Sequence, residues 1–168
     1  MLNINFFIMI STSIYCDSHV AEYIRSKFYD ASVGAVRFPA NLDVYHLLWD
    51  LLQKRPASAS PIDAGNLVIA LPDRREGKNP EYYNYLSARA TKVLVGKLRQ
   101  MMWAELHDFV DEGKHTLGRQ FKDSIFIFMT RYGIESISED ALWKNYQRWR
   151  YKTRRRSKRA YHHKSKNT

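Results

Sequence analysis

Asn79 and Pro80 separate two kinds of hydrophobic periodicity, and that change limits the fold more than any other feature of this chain. Before it, strand-like and helix-like spacings alternate. "MLNINFFIMI" puts Leu2, Ile4, Phe6, Ile8 and Ile10 on one side of an extended strand. Asp17 and Ser18 offer cap oxygens to a short helix with Val20, Tyr23, Ile24 and Phe28 on one face. "VRFP" (36–39) is extended and stopped by its proline; Val44, Leu47, Leu48, Leu51 and Leu52 mark a helix ending before Pro56; "NLVIALP" (66–72) is a further strand. After Asn79 every period is helical. Asn79 caps, Pro80 suits the first turn, and a stripe of Leu86, Ala90, Val93, Leu94, Met101, Leu106 and Phe109 runs to Gly113. A second helix from near Arg119 turns Phe121, Ile125, Phe128, Met129 and Tyr132 inward and stops at Gly133. The expected fold is α+β and mostly α: a small sheet packed with helices, followed by a C-terminal helix-turn-helix. Residues 1–112 form the body, 113–153 the helix-turn-helix-like head, and 154–168 a basic disordered tail.

Charge is distributed just as unevenly. The chain carries a net +10, yet all 17 acids lie before Lys144, and the 25 residues from Lys144 onward hold 11 of the 27 Lys and Arg. A near-neutral body with one cationic end is what a polyanion-binding protein presents. Tyr146, Trp149, Tyr151 and Tyr161 interleave with these cations, unlike a merely solubilising tail.

Gly133 can take the left-handed conformation that ends a helix, and Ser136 with Glu139 matches a capping box, so a new helix is expected from Ser136 or Ser138. At 100° per residue, Leu142, Tyr146, Trp149 and Thr153 fall on one packing face. The opposite side carries Lys144, Gln147, Arg148, Tyr151 and Arg155, with Asn145 and Lys152 on its flank. Lys and Arg match guanine O6/N7, Gln and Asn match adenine N6/N7, and Tyr stacks or bonds phosphate. Arg154, Arg155, Arg156, Lys158 and Arg159 would add sequence-independent phosphate contacts. "FMTRYGI", followed by a capped helix and "YQRWRYKTRRR", resembles the helix-turn-helix end of prophage and mobile-element regulators, including the middle-operon activators of Mu-like phages, over residues 120–156. That resemblance implies a compact DNA-binding head with a regulatory role and no catalytic residue. A single head reads a short half-site, so a homodimer or a protein partner held by the body is expected. The arginine-rich end also suits RNA, and an assembly module with a non-specific polyanion-binding tail is the alternative.

Other chemistry is less well supported by spacing. Asp63, Glu76 and Lys78 follow the D…E-x-K order of metal-dependent nucleases, but Glu76-Gly77-Lys78 sits in a proline-bounded loop rather than on a strand. His19, His46, His107 and His115 are dispersed, and His162 with His163 lacks further ligands, so no metal, cofactor or catalytic residue is assigned. Trp49, Trp103 and Trp143 are expected in the core. Cys16, the single cysteine, has no disulfide partner and fits a reducing compartment. The first residues lack a cationic n-region, and Asn3 and Asn5 interrupt the apolar run, so they read as a strand rather than a signal peptide. No apolar stretch approaches the roughly 18 residues of a membrane span. The expected location is cytoplasmic and nucleoid-associated, or nuclear if the cell is eukaryotic, where "RRRSKR" would serve as an import signal.

Overall fold

Alternating spacing becomes a four-stranded sheet, and helical spacing becomes five helices, in a computed structural model that describes residues 9–74 and 76–164, with side chains as far as 153. The chain divides into two units, Met1–Met102 and Trp103–Thr168. The boundary lies within a helix rather than at Gly113. The α+β, mostly α class expected from periodicity is the class observed.

In the first unit, β1 (Ser11–Ile14) is followed by α1 (Ser18–Phe28), β2 (Tyr29–Asp30), β3 (Ala35–Val36), α2 (Asp43–Leu51) and β4 (Leu67–Ala70). The sheet order is β1-β4-β3-β2. β4 pairs antiparallel with β1 and parallel with β3, so β3–α2–β4 is a crossover unit, while β2 and β3 form a hairpin closed at Gly34, whose φ is +70°. The expected face of Leu2, Ile4, Phe6 and Ile8 lies outside the described residues, and the strand is seen from Ser11. Val20, Tyr23, Ile24, Val44, Leu48, Leu52, Leu67 and Ile69 are buried. Each such side chain removed from water contributes about 1.5–3 kcal/mol before entropy is counted.

Polar side chains fix how these elements meet. Asn66 accepts from the Cys16 N–H through Oδ1 (3.0 Å) and donates to the Cys16 carbonyl through Nδ2 (2.8 Å), holding the end of β1 against the start of β4. A Cβ on Gly65 would stand 2.2 Å from the Ile14 carbonyl oxygen, so only glycine permits this backbone approach. Asp17 does not cap α1 with its side chain; its carboxylate receives Arg99 at 2.7 and 2.9 Å instead.

The long helix starts later and ends later than its sequence suggests. Asn79 makes a turn, accepting from Glu81 N–H through Oδ1 and from Tyr82 and Tyr83 N–H through its carbonyl, and Tyr85 then bridges Gln53. That bridge uses the backbone groups a helix would need, so α3 spans Ala88–His115, with Ser87 Oγ accepting from Ala90 N–H. Gly113 does not end α3: it lies inside the helix, where a Cβ would meet Ser124 Oγ at 2.3 Å.

The second unit comprises the last part of α3, α4 (Phe121–Tyr132) and α5 (Glu139–Lys164). Leu106, Val110, Ile125, Phe128, Ile134, Leu142 and Tyr146 form its core. Backbone assignment carries α5 to Lys164, where a disordered tail was expected from 154; residues 165–168 lie outside the described residues. Trp103 and Trp143, like Trp49 in the first unit, are half-buried rather than central, as a large indole with a polar edge commonly is.

Candidate nucleic-acid interface

The turn between α4 and α5 follows the expected chemistry with a shifted cap. Gly133 adopts φ +57°, ψ +40°; Ile134 N–H reaches the Met129 carbonyl (2.9 Å) and Gly133 N–H the Thr130 carbonyl (3.4 Å), the paired bonds that end a helix at a left-handed residue. Ile134 is buried beside this stop. The next helix is capped by Ser138, not Ser136: Ser138 Oγ accepts from Ala141 N–H at 3.2 Å.

The inner face of α5 is committed to packing as far as Trp149, whereas Thr153, expected on that face, is exposed and donates to the Trp149 carbonyl at 3.1 Å. Leu142 and Tyr146 are buried, and the Tyr146 hydroxyl donates to Asp111. The Tyr146 ring lies 5.5 Å from Phe121, 5.9 Å from Trp143 and 5.8 Å from Trp149. Trp149 stacks on His107 (4.4 Å between centroids, 19° between planes), and Trp103 stacks on it at 6.3 Å. Burial disfavours the imidazolium and holds the His107 pKa below its ordinary value, against the opposing hydrogen bond to Asn145. The half-buried tyrosine on α4 shifts the other way: desolvation, then its hydrogen bond to Glu105, raises the Tyr132 hydroxyl to about 12.

The opposite face contains most of the anticipated reading residues. Lys144, Gln147, Arg148, Tyr151 and Lys152 are exposed, Tyr151 at 63%. Lys144 pairs with Asp140 at 2.7 Å, an exposed i, i+4 pair that holds the lysine only weakly. Gln147, Arg148 and Lys152 make no hydrogen bond or ion pair among the described residues. Asn145 does not belong with them: it is half-buried, and its Oδ1 lies 3.0 Å from His107 Nε2. Its flank position on the wheel faces the core side, so it positions α5 rather than reading a base. The side chains of Arg154, Arg155, Arg156, Lys158 and Arg159 lie outside the described residues.

Three further cations were not singled out by the wheel. Arg150 and Lys114 approach the Phe121 ring at 4.7 and 5.5 Å, and Arg131 covers Phe109 at 4.9 Å. The interleaving of aromatic and basic residues was the available signal, but the partner rings lie on other helices. Such cation–π contacts hold the charge at the surface while burying the stem.

Two of the three nuclease-like residues of the first unit, Asp63 and Lys78, are engaged in the fold. Asp63 accepts from Thr12 and pairs with Arg55, both at 2.8 Å; its burial would raise the pKa, but these two bonds outweigh it and hold the carboxyl below its usual range. Lys78 Nζ donates to the carbonyls of Trp49, Asp50 and Leu52, each at 2.8 Å, closing the C-terminal end of α2. All three of its protons are thereby directed at backbone. Glu76 is exposed. Among the described residues no three His, Cys, Asp or Glu side chains gather as a metal site, and no helix is long and apolar enough to cross a membrane. No family model, curated protein or solved structure matches the chain.

Proposed function

We propose that the second unit binds nucleic acid, with double-stranded DNA as the favoured target, through the outer face of α5 and the basic residues that follow it. The observation carrying this reading is the division of α5 into two faces. Leu142, Asn145, Tyr146 and Trp149 are committed to the fold, whereas Gln147, Arg148 and Lys152 make no hydrogen bond or ion pair among the described residues and stand in a segment without acids. A rigid helix that offers amide and guanidinium groups at adjacent turns has the size and donors required by a major groove. Arg148 and Gln147 take the base-reading role, Lys144, Tyr151 and Lys152 the flanking contacts, and residues 154–159 the phosphates. On the resemblance of residues 120–156, the role is regulatory, in a prophage or mobile element, with the first unit serving a second copy or a protein partner.

The test is fluorescence anisotropy with random duplex DNA, single-stranded RNA and heparin across a salt series, using the full chain, Q147A/R148A and a chain ended at 153. Truncation at 143 is unsuitable because it removes Tyr146 and Trp149 from the core. Duplex binding that weakens steeply with salt and loses about tenfold in the double variant supports the reading. Equal binding of all three polyanions, abolished only by ending the chain at 153, overturns it in favour of a non-specific basic tail.

A further inference from the structure

Phe121, the first residue of α4, gathers two cations from the helices that precede and follow it. Arg150 of α5 lies 4.7 Å from the ring centroid and Lys114 of α3 lies 5.5 Å from it, so their charges stand within about 10 Å of each other, roughly a Debye length. Neither makes a hydrogen bond or ion pair among the described residues. The acids close to them in sequence do not cancel them. Glu112 is two residues from Lys114 and Asp123 two residues from Phe121, which at 100° per residue turns each exposed carboxylate to the far side of its helix. Asp111 shares the side of Lys114, but it accepts from the Tyr146 hydroxyl. Two cations therefore meet on one ring with no carboxylate bonded to either.

Where this pair stands on α5 decides what it can meet. Trp143, Tyr146 and Arg150, spaced i, i+3 and i+7, form the stripe of α5 that adjoins the Phe121 ring. Arg150 is also one turn beyond Gln147, so the pair borders the exposed face at that residue. Lys152, two residues after Arg150, lies at the other edge of the same face. A helix about 10–12 Å across fills a major groove about 12 Å wide and has a phosphate backbone on each side. Both edges of the outer face thus carry cations where the two strands would pass.

We infer, resting on the nucleic-acid reading of α5, that Lys114 and Arg150 hold the phosphates of one strand of a DNA duplex while Lys152 faces the other, which makes α3 part of the DNA-binding surface. The Phe121 ring restrains both cationic heads before the duplex arrives and leaves their N–H groups free for phosphate oxygens. One strand carries a charge for about every 3.4 Å of duplex axis, so two cations this close reach neighbouring phosphates.

Fluorescence anisotropy of the full chain on random duplex DNA across a salt series tests it, with K114Q and R150Q, the charge-keeping K114R and R150K, and K92Q as a control. Lys92 is an exposed cation on the same helix as Lys114, roughly 33 Å earlier along it. Each lost phosphate contact lowers the slope of log K against log salt by about 0.9, so the affinity lost between about 50 and 200 mM salt should shrink roughly three- to fourfold in K114Q and in R150Q. K114R, R150K and K92Q should keep the parent's slope. Parent slopes in K114Q and R150Q, with duplex binding by the full chain intact, overturn this inference and leave the reading of α5 standing; no duplex binding by the full chain overturns both. A slope lowered equally by K92Q, or lowered by the charge-keeping exchanges, also overturns it, since net charge or folding would then be the cause. Circular dichroism of each variant separates lost contacts from lost folding.

Discussion

Lys78 and Arg148 are both cations beside a helix, and the contrast between them separates the two units. Lys78 places its three protons on the last carbonyls of α2, and Arg55 is bound to Asp63, Asn84 and Ser60. Arg148 makes no such bond among the described residues. In the first unit, polar chemistry fixes where strands, loops and helix ends meet. In the second, aromatic packing does that work, and the outer face of α5 is left to solvent or to a ligand. A charged residue therefore suggests external function only after its internal bonds have been counted.

The largest expected effect breaks the packed face. Tyr146→Ala removes a fully buried ring that contacts Phe121, Trp143 and Trp149, and should destabilise the second unit by about 3–5 kcal/mol in denaturant titrations. A loss under 1 kcal/mol would mean that the inner face of α5 is not core. Gly65→Ala should follow, at about 1–3 kcal/mol, because its Cβ cannot enter without parting Gly65 from Ile14.

The central contrast is tested by Lys78→Met against Arg148→Met. The first leaves three helix-end carbonyls without their cation and should cost about 1–2 kcal/mol. The second should change stability by less than about 0.5 kcal/mol while weakening any duplex binding. Equal stability losses would erase the distinction between the two cations.

Much of this architecture was legible in spacing, because short-range periodicity reports local burial. The strand at Leu67–Ala70, the helix at Asp43–Leu51 and the stop at Gly133 all follow from residues within one or two turns. The misread features depend on partners far along the chain. A helix starting at Asn79 was reasonable until Tyr85 found Gln53, Gly113 looked like an end until Ser124 was seen against it, and Asn145 looked like a reader until His107 accounted for it. Lys78 was the same case, since nothing in E-x-K spacing indicates that α2 ends beside it. The exposed row of Lys144, Gln147, Arg148 and Tyr151 was legible for the complementary reason: a helical wheel needs no distant partner to separate two faces.

Gly113 and Ser124 allow a finer test of how tightly the second unit is packed. Ser124 Oγ is buried with no hydrogen-bond partner, and it occupies the space a Cβ at 113 would enter. Ser124→Ala alone should be neutral or stabilising, because it removes an unsatisfied hydroxyl. Gly113→Ala alone should destabilise by about 1 kcal/mol or more, the clash outweighing its gain in helix propensity. The double variant should recover that loss and exceed the parent; additive effects would show that the two helices do not approach as described.

The smallest expected effect is a pH dependence centred on His107. Its folded pKa lies below the ordinary value because burial penalises the imidazolium, while the unfolded chain titrates near 6.5. Above about pH 6.5 both states are neutral at this site, and the contribution to stability is fully present. As pH falls below that value the unfolded state takes up the proton first, so stability declines until the folded pKa is passed. His19 in the first unit shifts in the same direction through burial, so the comparison must be between the parent and His107→Gln. The parent should lose more stability than the variant between pH 7 and 5, and its His107 ring resonances should titrate below the ordinary histidine range. A normal or raised titration would mean that the stack with Trp149 leaves the imidazole open to water, and α5 would then be held less firmly than its aromatic contacts require.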